Sequence, residues 1–198
     1  MNAQNDIAAL IGSRICHDLI SPLGAIGNGV ELLGMAGEMD GPEMALINQS
    51  VTNANARIRF FRIAFGSATS GQMIGRQEVS SIINDITTGG RIQIDWQSQE
   101  NLARNQVKLA FLLIQCFETA MPYGGEITVR QQGENWVLET VSGKLRIDKE
   151  LWESLVSINY EHKASPSNVH FALVSGVVQQ NGWILQTSLE TNCISISF

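Results

Sequence analysis

The sequence predicts an α+β fold, in which an amino-terminal helical hairpin forms a dimeric four-helix bundle and an α/β sandwich domain follows. Three features of the 198-residue chain support this prediction. Apolar residues recur at helical spacing near the amino terminus, a stretch of small residues comes next, and helix and strand patterns alternate in the remainder. We assign residues 1–68 to the hairpin and residues 76–198 to the second domain.

The hairpin is predicted as two helices separated by the segment from Gly34 to Pro42, where three glycines precede a proline that suits the first turn of a helix. The second helix repeats apolar residues at spacings of three and four, as in a coiled-coil seam, at Met44, Ile47, Val51, Ala54, Ile58, Phe61 and Phe65. The first helix has a comparable stripe at Ile11, Ile15, Leu19, Pro22, Ile26, Val30 and Leu33. Two helices cannot bury two such stripes against each other alone, so the pattern predicts a homodimer.

Small residues between Ser67 and Gly75 predict a linker. The second domain then alternates between helical and strand patterns. Helices are predicted at about 77–88, 104–121, 149–157 and 168–180, and strands at about 91–96, 126–131, 136–141, 183–189 and 193–198. This order predicts a mixed sheet with helices on one face.

Composition and charge exclude several classes of function. A net charge of -6, with no run of basic residues, argues against a nucleic-acid partner. No uncharged stretch is apolar enough for a membrane span, and the amino terminus lacks the positive charge of a secretory signal. The three cysteines, Cys16, Cys116 and Cys193, are too scattered for a disulfide framework or a metal site. We therefore expect a cytoplasmic protein.

The candidate site lies on the first helix. At roughly 100° per residue, His17 falls opposite the apolar stripe and points to water, with the small residues Ser13 and Gly24 beside it. An exposed imidazole is largely unprotonated at neutral pH and is a nucleophile. The carboxylate of Asp18 is suited to hold one ring N–H, and Ser21 to bind a phosphoryl oxygen or a water. These residues alone leave open that His17 is only a solvent-exposed polar side chain.

The segment His17-Asp-Leu-Ile-Ser-Pro-Leu23 resembles the phosphoacceptor box of sensor histidine kinases, where an acid follows the histidine and a Thr or Asn precedes Pro-Leu. The resemblance implies that His17 accepts the phosphoryl group, with Asp18 and Ser21 as catalytic neighbours. Ser21 differs from the usual residue and leaves phosphatase activity open. Basic residues at Arg14, Arg57, Arg59 and Arg62 are then candidates for docking an acidic receiver domain. The alternative is a solvated helix end, where the helix dipole favours cations.

The second domain resembles a degenerate Bergerat fold, the ATPase domain of histidine kinases. Gln115 and Thr119 stand where two asparagines are expected, and Val141-Ser-Gly-Lys-Leu145 lacks the aspartate of the adenine-binding box. The glycine-rich lid is replaced by residues 162–170. The resemblance implies no ATP and no cofactor of its own. His162 and His170 have neither the spacing nor the partners of a metal site, so we expect them at the surface or hydrogen-bonded.

Over nearly the whole chain, the sequence resembles the ChpT-type histidine phosphotransferases of alphaproteobacterial signalling. His17-Asp18, the segment from Asn28 to Leu33 and the segment from Arg59 to Gly66 carry the resemblance. It implies a relay between the receiver domain of a hybrid histidine kinase and those of response regulators, with Mg2+ held by the receiver. Two alternatives remain at this point: a histidine kinase with an atypical ATP site, and a scaffold that binds receivers without chemistry.

Overall fold

The computed structural model describes residues 3–36, 41–69, 71–156 and 165–198. Two long helices come first, α1 (Ala3–Ala36) and α2 (Pro42–Ala64). Pro42 occupies the first turn of α2 after the extended Gly41, as the sequence predicts. Pro22 lies inside α1 without ending it. The middle of the predicted break, residues 37–40, lies outside the described residues.

The second part of the chain is a mixed sheet with helices. Its elements are β1 (Met73–Gly75), α3 (Arg76–Thr87), β2 (Ile92–Gln97), β3 (Asn101–Ala103), α4 (Arg104–Ala120), β4 (Gly125–Gln132), β5 (Asn135–Val141), α5 (Lys149–Glu153), α6 (Val169–Asn181), β6 (Gln186–Leu189) and β7 (Cys193–Ser197). Five strands form the main sheet in the order β2-β4-β5-β7-β6, in which only β2 and β4 pair in parallel. The predicted α+β composition, with helices preceding a mixed sheet, is confirmed.

Two short strands were not predicted. β1, inside the predicted linker, pairs antiparallel with β3, and the two form a separate two-stranded sheet. Three residues are too few for an alternating pattern to stand out, so the pairing depends on tertiary contacts. The strand predicted from residue 183 begins only at Gln186, because Gly182 ends α6 in the left-handed conformation and the Trp183 amide still bonds back to Val178. The helix predicted to extend to about residue 157 ends at Glu153, with Ser154 as its C-cap and a turn at 154–156.

The hydrophobic core extends across both parts of the chain. α4 is buried along most of its length and packs against α2, α6 and the strands β4 and β5. The end of α2 enters the same core through Phe60, Phe61 and Ile63. The Phe60 ring stacks on that of Phe111 in α4, with centroids 4.5 Å apart. The carboxyl-terminal end of the hairpin is therefore built into the α/β domain.

The hairpin itself keeps part of its apolar surface exposed. α1 and α2 pack on each other. Several large apolar side chains of the two helices nevertheless face solvent in the single chain, namely Ile20, Leu23, Val30, Leu32, Met35, Leu46, Val51 and Ile58. Val30, Val51 and Ile58 belong to the predicted stripes, so one chain does not bury these stripes completely. Among the described residues, no helix has the length and apolarity needed to cross a membrane.

Candidate functional site

His17 lies on the outer face of α1, as the helical spacing predicts. Its side chain is 85% exposed. Ser13, Ser21 and Gly24 on the same face are also exposed. The imidazole therefore projects from a surface of small residues, where another protein can approach it.

The Asp18 carboxylate orients the imidazole. Its Oδ1 lies 3.1 Å from Nδ1 of His17. An ionised carboxylate can only accept a hydrogen bond, so this contact assigns the ring hydrogen to Nδ1 and leaves the lone pair on Nε2. The predicted contact between these neighbours is present in the structure, with Asp18 only 11% exposed beneath the exposed ring.

The second Asp18 oxygen is held by Arg14. The Arg14 Nε donates to Asp18 Oδ2 at 2.8 Å, and its Nη1 donates to the carbonyl oxygen of Ser167 at 3.2 Å. Arg14 is only 18% exposed. One guanidinium thus connects the carboxylate beside His17 to the turn that precedes α6.

Two cavities adjoin this site. One, of about 460 Å3, is lined by His17, Asp18 and Ser21 on α1, by Arg57 on α2, and by the loop after α3. The other, of about 700 Å3, is lined by Arg14, Asp18, Arg57, Arg91, Glu118 and Thr119, among others. Burial raises the pKa of Glu118, and the positive charges of Arg57 and Arg14 oppose that rise. Charged residues from α1, α2 and α4 and from the residue before β2 therefore line the larger cavity, which shares Asp18 and Arg57 with the smaller one.

The four arginines predicted to dock a partner do not form one cluster. Arg57 donates to Asn53 Oδ1 at 3.0 Å and lines the cavities with Arg14. Arg59 pairs with Asp85 and Arg62 with Glu78, so both lie against α3. Each of the four has an intramolecular partner, and Arg14 in particular is largely buried rather than presented to solvent. Their docking roles stay a prediction, and Arg62 is the most accessible of the three that form ion pairs with Asp or Glu.

The two residues at the predicted ATP-site positions differ in exposure, because Gln115 is buried whereas Thr119 is exposed and lines the larger cavity. Gln115 is buried, and the Thr119 hydroxyl donates to the Gln115 carbonyl at 3.0 Å and lies 3.1 Å from Nε2 of His170. His170 is buried beside Phe171, not at the surface, and its Nδ1 has no hydrogen-bond partner in the described part of the chain. Of the two alternatives expected for His170, a surface position and a hydrogen-bonded one, the structure shows the second at Nε2, because α6 turns this side chain inward against α4. His162 lies outside the described residues.

Burial lowers the pKa of His170 from 6.5 to about 3, with a smaller contribution of the same sign from Arg14 and an opposing one from Asp18. Between pH 3 and pH 6.5, His170 therefore binds a proton in the unfolded chain but not in the folded chain. The free energy of unfolding should therefore fall as the pH decreases from 6.5 to 3, by at most about 5 kcal/mol from this group. We expect His170→Gln to flatten that pH dependence in urea unfolding. Equal slopes for His170→Gln and the wild type would contradict the prediction.

Glu118 and Arg91 are site residues that the sequence analysis missed. Glu118 is the one charged residue in the otherwise uncharged segment from Leu112 to Met121. A single charge in such an apolar segment is unusual, and this feature could have indicated a functional residue. Arg91 carries no local signal, because it reaches the cavity only through the fold. No group of His, Cys, Asp or Glu side chains suited to hold a metal ion occurs within the part of the chain that the structure describes.

Comparison with known proteins identifies the class. The family model described as the histidine phosphotransferase C-terminal domain matches residues 76–192, more than half of the chain. A solved structure described as a bacterial phosphotransferase is 31% identical and superposes with a TM-score of 0.81, covering 100% of this chain and 97% of that one. The chain belongs to the histidine phosphotransferase family, of the ChpT type, as the sequence resemblance implied.

A curated relative can be named within that family. Protein phosphotransferase ChpT of Brucella abortus (strain 2308) is 41% identical over 132 residues, which are 66% of this chain. The match spans 63% of the relative, so the chain matches less than two thirds of that protein's length.

Proposed function

We propose that this protein is a histidine phosphotransferase that passes a phosphoryl group through His17, between the receiver-domain aspartate of a hybrid histidine kinase and those of response regulators. The observation that carries the proposal is the contact of Asp18 with Nδ1, which leaves the exposed Nε2 as the nucleophile. Family membership supports the same reaction. We place the protein in the cytoplasm, and we propose no nucleic-acid or membrane partner.

In the forward step, Nε2 of His17 attacks the phosphorus of the receiver's aspartyl phosphate in line. The N–P bond forms as the acyl P–O bond breaks, and the electron pair goes to the receiver's aspartate, which regains its carboxylate. The ring keeps its proton on Nδ1 and becomes positively charged, and the Asp18 carboxylate stabilises that charge. The reverse step loads the next receiver.

Most of the catalysis in this proposal is positioning and electrostatics at the interface. The Mg2+ that neutralises the transferring oxygens would be the receiver's own ion. Ser21, exposed one turn after His17 and facing the smaller cavity, is placed to bind a phosphoryl oxygen or a water. Arg59 and Arg62 are the accessible cations for contact with an acidic receiver surface.

We also propose that residues 76–198 are a degenerate Bergerat domain that does not bind ATP, attached to a phosphotransfer hairpin at 1–68. At the positions of the expected asparagines, Gln115 is buried, and the Thr119 hydroxyl contacts the Gln115 backbone carbonyl and His170 inside the domain. In the loop after β5, the Ser142 hydroxyl is buried and donates to the Gly124 carbonyl at 3.0 Å. Trp152 packs between the rings of Phe117 and Phe171. These contacts support a packing role for the domain.

The test is a transfer assay with purified receiver domains of the source organism, each phosphorylated with labelled acetyl phosphate. We expect label to move from at least one receiver to this protein and on to another, through an acid-labile, base-stable phosphohistidine. Labelling by ATP with no partner present would favour the kinase alternative. Stable binding of receivers without any labelling would favour the scaffold.

We further propose that the hairpin forms a homodimer through the apolar side chains that the single chain leaves exposed on α1 and α2. Light scattering at micromolar concentration should give twice the 21.7 kDa mass of one chain. Charge buried in the interface is costly, so Val51→Glu and Ile58→Glu should shift the protein towards monomer. Ile184→Glu, at an exposed apolar position in the other domain, is the matched control and should not. A monomeric wild-type protein would contradict the dimer.

A further inference from the structure

We propose that Arg14 is a positioning residue for His17, and that through Arg14 the α/β domain fixes the geometry of the phosphotransfer site. The proposal rests on the proposed function of His17 as the phosphoryl carrier. It gives the second domain a part in the reaction besides packing, and it replaces the docking role first expected for Arg14.

The Asp18 carboxylate is shared between two partners. Oδ1 contacts Nδ1 of His17, and Oδ2 accepts from Nε of Arg14. With both oxygens engaged, the carboxylate cannot rotate without breaking a contact. The Arg14 guanidinium is planar and is held at a second nitrogen by the Ser167 carbonyl, so its charged hydrogen bond fixes the position of Oδ2. The orientation of the imidazole therefore depends on Arg14, which does not touch it in the structure.

Arg14 is anchored outside the hairpin. Its Nη1 donates to the carbonyl of Ser167, which is 153 residues away in the sequence. Hydrogen bonds brace the turn that holds this carbonyl: the Ser165 amide donates to Asn168 Oδ1 at 2.6 Å, and the Asn168 amide donates to the Ser165 carbonyl at 3.1 Å. α6 starts directly after this turn, and its His170 contacts Thr119 on α4. The carboxylate beside His17 is thus linked to the packed α4–α6 pair.

Arg14 also balances the charge of two carboxyl groups. It lines the larger cavity together with Asp18 and Glu118, forms an ion pair with Asp18, and opposes the rise in the pKa of Glu118 to which the Asp18 charge contributes. The other cations lining that cavity are Arg57, which is bonded to Asn53, and Arg91. Removing Arg14 leaves the nearly buried Asp18 without its ion pair, and the carboxylate then gains by turning towards water. His17 loses the acceptor that holds its Nδ1–H.

The consequence can be measured on the imidazole itself. A free neutral histidine side chain favours hydrogen on Nε2, whereas the Asp18 contact selects hydrogen on Nδ1. Without Arg14, we expect His17 to revert towards the Nε2–H form, in which the outward nitrogen has no lone pair for attack. Long-range 1H–15N NMR correlations of His17 report this tautomer directly. A change that was merely structural and left the Asp18 contact in place would not alter it.

The experiment compares wild type with Arg14→Ala, Arg14→Gln and Arg14→Lys. Reactivity is measured with potassium phosphoramidate, from which Nε2 takes the phosphoryl group as the P–N bond breaks and ammonia leaves. We expect Arg14→Ala to show the altered tautomer and to react about 10- to 100-fold more slowly, the usual cost of losing a group that orients a functional histidine. Arg14→Lys keeps the charge but lacks the planar guanidinium, so its tautomer ratio and its reaction rate should lie between those of Arg14→Ala and the wild type. Arg130→Ala removes an arginine ion pair with Glu139 on the sheet and is the matched control.

An unchanged tautomer in Arg14→Ala would overturn the proposal, whatever the rate. If Arg14→Ala fails to fold, as judged by circular dichroism, Arg14→Gln, which keeps hydrogen bonding without charge, decides on the same criterion. Neither measurement uses a receiver domain. If no receiver labels the wild-type protein, the proposed relay is contradicted, but the positioning role of Arg14 is not. If the relay is normal and the His17 tautomer does not depend on Arg14, the positioning role is contradicted and the relay is supported.

Discussion

Replacement of His17 by alanine should reduce transfer of label from a phosphorylated receiver by at least about 1,000-fold, because the variant has no nucleophile at the site. The side chain is 85% exposed, so its removal should change the free energy of unfolding by no more than about 0.5 kcal/mol. The variant should therefore fold, dimerise and bind receivers like the wild type. The measurement is single-turnover transfer followed by separation of the labelled proteins.

The matched control for His17 is Ser13→Ala, a small change one turn earlier on the same exposed face. This variant should retain transfer within a few-fold of the wild type, since Ser13 has no assigned part in the chemistry. A His17→Ala protein that still becomes labelled would show that another residue carries the phosphoryl group. Loss of transfer in both variants would point instead to damage at the docking surface.

The part of the site that the sequence predicts is local. His17 and Asp18 are adjacent, and the side of α1 on which they lie follows from the helical period, so exposure and the Nδ1 contact are both accessible to pattern reasoning. The long apolar run of α4 and the alternation along β4 and β5 identify the core for the same reason. These features depend on periods of two or 3.6 residues, which short windows of sequence contain.

The part that the sequence does not predict depends on distant segments meeting. Arg14 looks like an exposed cation when only its own helix is considered, and its bond to Ser167 exists because α6 lies against α1. Arg59 and Arg62 likewise find partners on α3. His170 is polar by type, yet it lies inside because Thr119 offers a hydrogen bond across the α4–α6 contact. In each case a long-range partner outweighs the usual preference of a charged or polar residue for water.

Phe60→Ala should destabilise the hairpin and the α/β domain together. Phe60 is almost completely buried at the end of α2, and its ring stacks on Phe111 of α4 at an interplanar angle of 11°. Truncating a buried phenylalanine costs about 3–5 kcal/mol in free energy of unfolding. The four tryptophans all follow residue 76, so their fluorescence reports the second domain, while helical circular dichroism includes α1 and α2. In urea at fixed protein concentration, we expect the midpoints of both signals to fall together in Phe60→Ala. The exposed control Ile184→Ala should change neither midpoint.

A tryptophan transition that stays at the wild-type midpoint in Phe60→Ala would mean that the hairpin unfolds by itself, and that the shared core does not couple His17 to the second domain.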